Sequence, residues 1–173
     1  ADTYALLGSM PYAVMPPAEA GTKAKAAATT ALRIDPTLAE AHVSLAFATY
    51  SFDWDWRGGE QEFRRAIALD PGYATAHYWY ALYLGQLGRF DEQLTEAQRA
   101  LDLEPLSLVG TYAVGLAHYH ARRFGPAREF AQKTLEMSAA FPPGLRLLGS
   151  VNLAEHRDDA LHPPLVVHHR DGE

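Results

Sequence analysis

The sequence contains no cysteine, which excludes disulfides, zinc–thiolate sites and thiol catalysis. It is also short of positive charge. Fifteen Lys and Arg stand against 21 Asp and Glu, for a net charge of −6. Phosphate backbones are held by clustered cations, so no nucleic-acid partner is expected. No run of 18 apolar residues occurs, so no membrane span is expected. The first residues lack a basic segment leading into a long apolar stretch. No signal peptide is visible, and the expectation is a cytoplasmic protein. What the chain does have is 48% hydrophobic residues along 173 positions, enough for a folded domain.

Self-similarity organises the rest. Ile34-Asp35-Pro36, Leu69-Asp70-Pro71 and Leu103-Glu104-Pro105 place their prolines 35 and 34 residues apart. A large apolar residue before a tiny one recurs as Leu7-Gly8, Leu45-Ala46, Tyr80-Ala81, Val114-Gly115 and Leu148-Gly149. A lone aromatic recurs at Trp56, Phe90 and Phe124. Three unrelated landmarks thus keep one period.

Within each period two stretches read as helices. Residues 39–52, 74–87 and 108–121 form a first set rich in Ala, Leu and Tyr, and 57–69, 90–103 and 125–136 a second. In the first set, apolar residues occupy more than one face, as expected of a helix covered on several sides. Thr37 and Glu40 have capping-box spacing. Pro71 and Pro105 stop the second helices, since proline lacks a donor N–H and clashes with the preceding turn. The pattern predicts antiparallel helix pairs, with stretches 2–17 and 18–35 as the first pair, then 39–70, 74–104 and 108–138. A last helix follows over 142–156.

These residues resemble the tetratricopeptide repeat, TPR. Its tiny residue is matched by Gly8, Gly115 and Gly149, with Ala46 and Ala81 as substitutes. Ala31, Ala66 and Ala100 match its late alanine, and Tyr4, His42 and His77 its large opening residue. Gly59 and Gln93 depart from the alanine usual in the second helix. The resemblance implies an all-α, right-handed superhelix (solenoid) of about four TPR units plus a terminal helix. That solenoid spans 1–156, with an extended tail over 157–173. Asp53-Trp54-Asp55-Trp56, Glu62-Phe63-Arg64-Arg65-Ala66 and Pro105-Leu106-Ser107 are further similar to repeat regions of large bacterial regulators.

Signatures of catalysis are missing. There is no G-x-G-x-x-G, Walker loop, H-E-x-x-H or G-x-S-x-G. His169-Arg170-Asp171 spells a kinase triplet without the residues that would support it. His118 and His120, two apart on a helix, point about 200° apart and cannot share a metal. His162, His168 and His169 lie in the tail, and His42 with His77 fit packing positions. Asp53 and Asp55 read as a structural corner. No cofactor, metal or enzymatic activity is expected.

The resemblance implies that first helices line the concave surface and supply the binding residues. Here those are Val43, Phe47, Tyr50, Tyr78, Leu82, Tyr112, Leu116, Tyr119 and His120, an apolar and aromatic stripe suited to a protein or peptide ligand. Relatives that grip acidic peptides use Lys, Arg and Asn. Asn152 is the only asparagine here and Arg146 the nearest cation, so a carboxylate clamp is not expected. Arg64, Arg65, Arg99 and Arg128 belong to a solvated outer face. Gly115 should mark a close helix approach. Beyond 156, Pro163-Pro164 followed by Leu165-Val166-Val167 favours an extended segment. Such a segment would pack on its own last helix or in another copy's groove, making a homo-oligomer possible.

Overall fold

The computed structural model describes residues 16–161, with the side chains of Pro17 and 157–161 excepted. Eight helices account for these residues: α1 Pro17–Ile34, α2 Ala39–Phe52, α3 Trp56–Leu69, α4 Ala74–Gln86, α5 Phe90–Leu103, α6 Leu108–His120, α7 Phe124–Met137 and α8 Pro142–Leu161. The fold is an all-α solenoid of antiparallel helix pairs. The stretch 2–15, Gly8 and the segment 162–173 lie outside the described residues, as does the packing expected of the tail. The helix boundaries follow the repeat closely. One difference is α8, which continues to Leu161, so 157–161 are helical rather than extended.

Local chemistry explains where the helices start and stop. Pro17 opens α1, where a missing N–H costs nothing. Asp55 caps α3 by accepting from Gly58 N at 2.8 Å. Ser107 caps α6 through Gly110 N at 3.2 Å. The expected box at Thr37 does not form. Leu38 is the N-cap of α2, and the Thr37 hydroxyl instead donates to Asp35 at 2.6 Å. The Asp35 carboxylate, two residues earlier, offers a stronger charged acceptor.

The corner between paired helices needs a left-handed residue. Gly88 supplies it with φ +74°, while Trp54 (φ 60°) and Arg122 (φ 57°) hold the same place in their repeats at some strain. Corner Trp54 is 73% exposed, whereas Trp56 packs onto the core.

Each of α2, α4 and α6 approaches the next such helix, and no two of α3, α5 and α7 approach each other. The first helices of the pairs therefore form the inner layer, and the second helices fan out on the convex side. Arg64, Arg65 and Arg99 are exposed on those outer helices. The core sits between the layers. Its largest part gathers Tyr50, Phe63, Tyr80, Tyr83 and Leu84, and further along it thins to Ala127, Ala131, Leu147 and Val151.

Two histidines bolt the layers together in the same way. His42 Nδ1 lies 2.6 Å from Glu62 Oε2 and its Nε2 lies 3.1 Å from the Pro36 carbonyl. His77 repeats this with Glu96 at 2.6 Å and Pro71 at 3.1 Å. At the equivalent place in the next repeat, Thr111 bonds back to Ser107 O at 2.9 Å. A second tie crosses the outer side, where Glu60 accepts from Arg64 and Arg89, both at 2.8 Å, and from Tyr80 at 3.0 Å.

Candidate functional site

The inner face is built by α2, α4 and α6. Seven of the nine residues expected there are partly exposed: Phe47, Tyr78, Leu82, Tyr112, Leu116, Tyr119 and His120. Two are corrected. Val43 and Tyr50 are each only 3% exposed and belong to the core. Tyr50 is boxed in by Tyr83, Trp56 and Phe63, with ring centroids 5.2, 5.5 and 6.1 Å away. Bulky rings from the following helices fill the space its register position would otherwise leave open.

The remaining rings make three separate groups of ring contacts. Phe47 meets Trp79 at 5.0 Å, and Trp79 meets Tyr78 at 5.2 Å, both T-shaped. Tyr112 meets Phe141 at 5.9 Å, and Tyr119 contacts Phe124 at 6.0 Å. Such contacts hold the rings in place. Burial pushes the Tyr112 phenol above its ordinary range, so the hydroxyl stays neutral and can donate or accept.

His120 is turned partly inward. Its Nδ1 donates to Gln93 Oε1 at 2.9 Å, and its ring lies 5.6 Å from Phe90. Burial lowers its pKa, favouring the neutral ring. Gln93, fully buried where the repeat usually has alanine, leaves its Nε2 without a partner. His118 is likewise lowered by burial and stacks on Phe130. No group of three His, Asp or Glu residues able to hold a metal occurs among the described residues. No described helix is long and apolar enough to cross a membrane.

Trp79 is a partly exposed residue of α4 that the stripe omitted, though its place three before Leu82 puts both on one helical face. A cleft of about 170 Å³ opens beside it, between the first turns of α4 and α6 and under the end of α5. Tyr78, Trp79, Val109 and Glu104 are among its lining residues. In the sequence Glu104 signals only a helix stop. Its position against the aromatics emerges from the stacking of neighbouring repeats.

No family model matches the chain, and no curated protein matches it. Solved structures do. Pseudomonas aeruginosa PilF superposes with a TM-score of 0.71 at 24% identity, covering 92% of this chain and 70% of that one. PilW, a widely conserved type IV pilus biogenesis factor, gives 0.72 at 24% identity, covering 82% and 66%. The first TPR domain of Spaghetti (RPAP3) bound to the HSP90 peptide SRMEEVD gives 0.64 at 14% identity, covering 70% and 96%. At these identities the likeness establishes the fold.

Proposed function

Starting from a TPR solenoid with an aromatic inner face, we propose that the chain is a non-catalytic scaffold that binds a peptide or protein segment along α2, α4 and α6. The observation that carries this reading is the partly exposed row Phe47, Trp79, Tyr78, Tyr112, Leu116 and Tyr119, held by ring contacts on one side of the solenoid. Aromatic side chains give large contact area at small rotamer cost. That the RPAP3 domain holds a peptide supports the reading. The ligand differs in kind, because the inner face here carries no basic side chain on α2, α4 or α6 apart from its histidines, and the lone Arg146 of α8, near Tyr112, does not make a clamp for two carboxylates.

The test is selection from a random peptide library on the immobilised chain, followed by the double variant Tyr78→Ala/Tyr112→Ala. Selected peptides should bind the parent and lose most of their affinity for the variant, with helicity by circular dichroism nearly unchanged. Binders that hold both proteins equally would place the interaction elsewhere.

A second reading, a homo-oligomerisation module of a larger bacterial regulator, is favoured by α8. Its Leu145 and Leu153 are 51% and 63% exposed. Between them, no described residue lies within 4 Å of a Cβ added at Gly149. A concentration-dependent solution mass that Leu153→Glu abolishes would support self-association, and a constant monomer mass would remove it.

A further inference from the structure

The cleft beside Trp79 has a shape and charge of its own. At about 170 Å³ it is smaller than a drug-sized pocket, which runs to several hundred Å³, and takes one long side chain rather than a helix or a cofactor. Tyr78 and Trp79 stand with ring planes 64° apart, so they form two walls of a corner. Glu104 supplies the charge. Its backbone is fully engaged, the N–H bonding to Ala100 O and the carbonyl accepting from Ser107 N at 2.9 Å. Its carboxylate is exposed and makes no ion pair or side-chain hydrogen bond with another described residue. The Ser107 hydroxyl is already committed to capping Gly110 N.

Helix ends also face the cleft, and their contributions have to be weighed. The N-termini of α4 and α6 carry roughly half a positive charge each, and the C-terminus of α5 about half a negative charge. Together they leave about half a positive charge, which the full negative charge of Glu104 outweighs, so the cleft is net negative. No basic residue lines the cleft, and the whole chain carries −6, which steers cations inward at long range. A side chain suited to this place has a long apolar stem for the aromatic walls and a cationic head for Glu104. Arginine and lysine have that build, and arginine also stacks on rings.

We infer that this cleft is a specificity subsite for one basic side chain, arginine above lysine, of the peptide bound in the groove. The inference rests on the groove reading and adds the chemistry of the ligand to it. Peptides of the form Ac-Ala-Leu-Xaa-Leu-Ala-NH2, with arginine, lysine, norleucine or glutamate at Xaa, provide the probe, read by the indole N–H resonance of Trp79. The arginine peptide should bind about five- to tenfold tighter than its norleucine counterpart. That margin should shrink in high salt and fall to within about twofold in Glu104→Gln. Glu104 is an exposed helix-end residue, so the variant is expected to fold, which circular dichroism checks. Equal binding of arginine and norleucine peptides overturns the subsite and leaves the groove standing. An arginine preference that survives Glu104→Gln overturns it too. So does a series in which no peptide moves the Trp79 signal. In that case the fate of the groove is decided separately, by the library peptides and the Tyr78→Ala/Tyr112→Ala variant.

Discussion

Gly115 and Gly149 stand at the same place in consecutive repeats, 34 residues apart, and meet opposite surroundings. A Cβ on Gly115 would lie 2.9 Å from Phe130 Cβ and 3.0 Å from Leu147 Cδ2. One neighbour belongs to the paired helix α7 and the other to the next inner helix α8. A Cβ on Gly149 would meet no described residue within 4 Å. The opening position of the repeat shows the same divide. His42, His77 and Thr111 are buried, whereas Leu145 is half exposed. A repeat position prescribes a small residue or a large one. Only a neighbouring helix turns that prescription into stabilisation.

The comparison can be broken by filling both glycines. Gly115→Leu forces a side chain between α6, α7 and α8 and should cost about 1–3 kcal/mol, read as a fall in melting temperature. An unchanged melting temperature would mean that the interior contact is looser than its distances indicate.

A second test acts on the buried opening position. Both ring nitrogens of His77 face acceptors, Glu96 and the Pro71 carbonyl, so the ring satisfies both only as imidazolium. The hydrogen bond to Glu96 raises its pKa, burial opposes the rise, and Arg99 opposes it further. A raised folded pKa means that the stabilisation is complete below the unfolded value, about 6.5, and is lost as pH climbs through the folded value. The parent should therefore exceed His77→Gln in melting temperature by more at about pH 5.5 than at about pH 8.5. Burial lowers His118 and His120, giving the opposite slope, and the difference between parent and variant removes their contribution. A constant difference across that range would show that the bracket acts by packing alone.

The smallest effect belongs to the open end. Gly149→Ala adds a methyl where no described residue lies within 4 Å and removes helix-interior glycine, so it should stabilise the chain by about 0.5–1 kcal/mol. A loss of stability would mean that something already occupies that face in solution.

The fold was largely legible because the period is written in residues that tolerate few substitutes: the tiny position of the first helix, the aromatic at the start of the second, and the proline after it. The capping box failed for a local reason. Asp35 competes for the Thr37 hydroxyl, and nothing in the spacing of Thr37 and Glu40 reveals that. The exposure of the proposed binding face was legible in part. Register places Val43 and Tyr50 beside Phe47, but whether a ring is exposed depends on the volume of rings contributed by the paired helix and the next repeat. Trp56, Phe63 and Tyr83 close over Tyr50. The cleft at Glu104 was the least legible, since it joins the end of one helix to the starts of two others.

The two histidine brackets join three consecutive elements each: a turn, an inner helix and its outer partner. They occur in the repeats of α2–α3 and α4–α5, and neither α6 nor α8 has a counterpart. In a quasi-one-dimensional array, opening of one unit depends mainly on its neighbours. Amide hydrogens should therefore exchange most slowly in α4 and α5, bracketed on one side and covered on the other. Exchange should quicken through α7 and α8, which lack such a bracket, so that this pair opens while the aromatic rows of α2 and α4 remain folded.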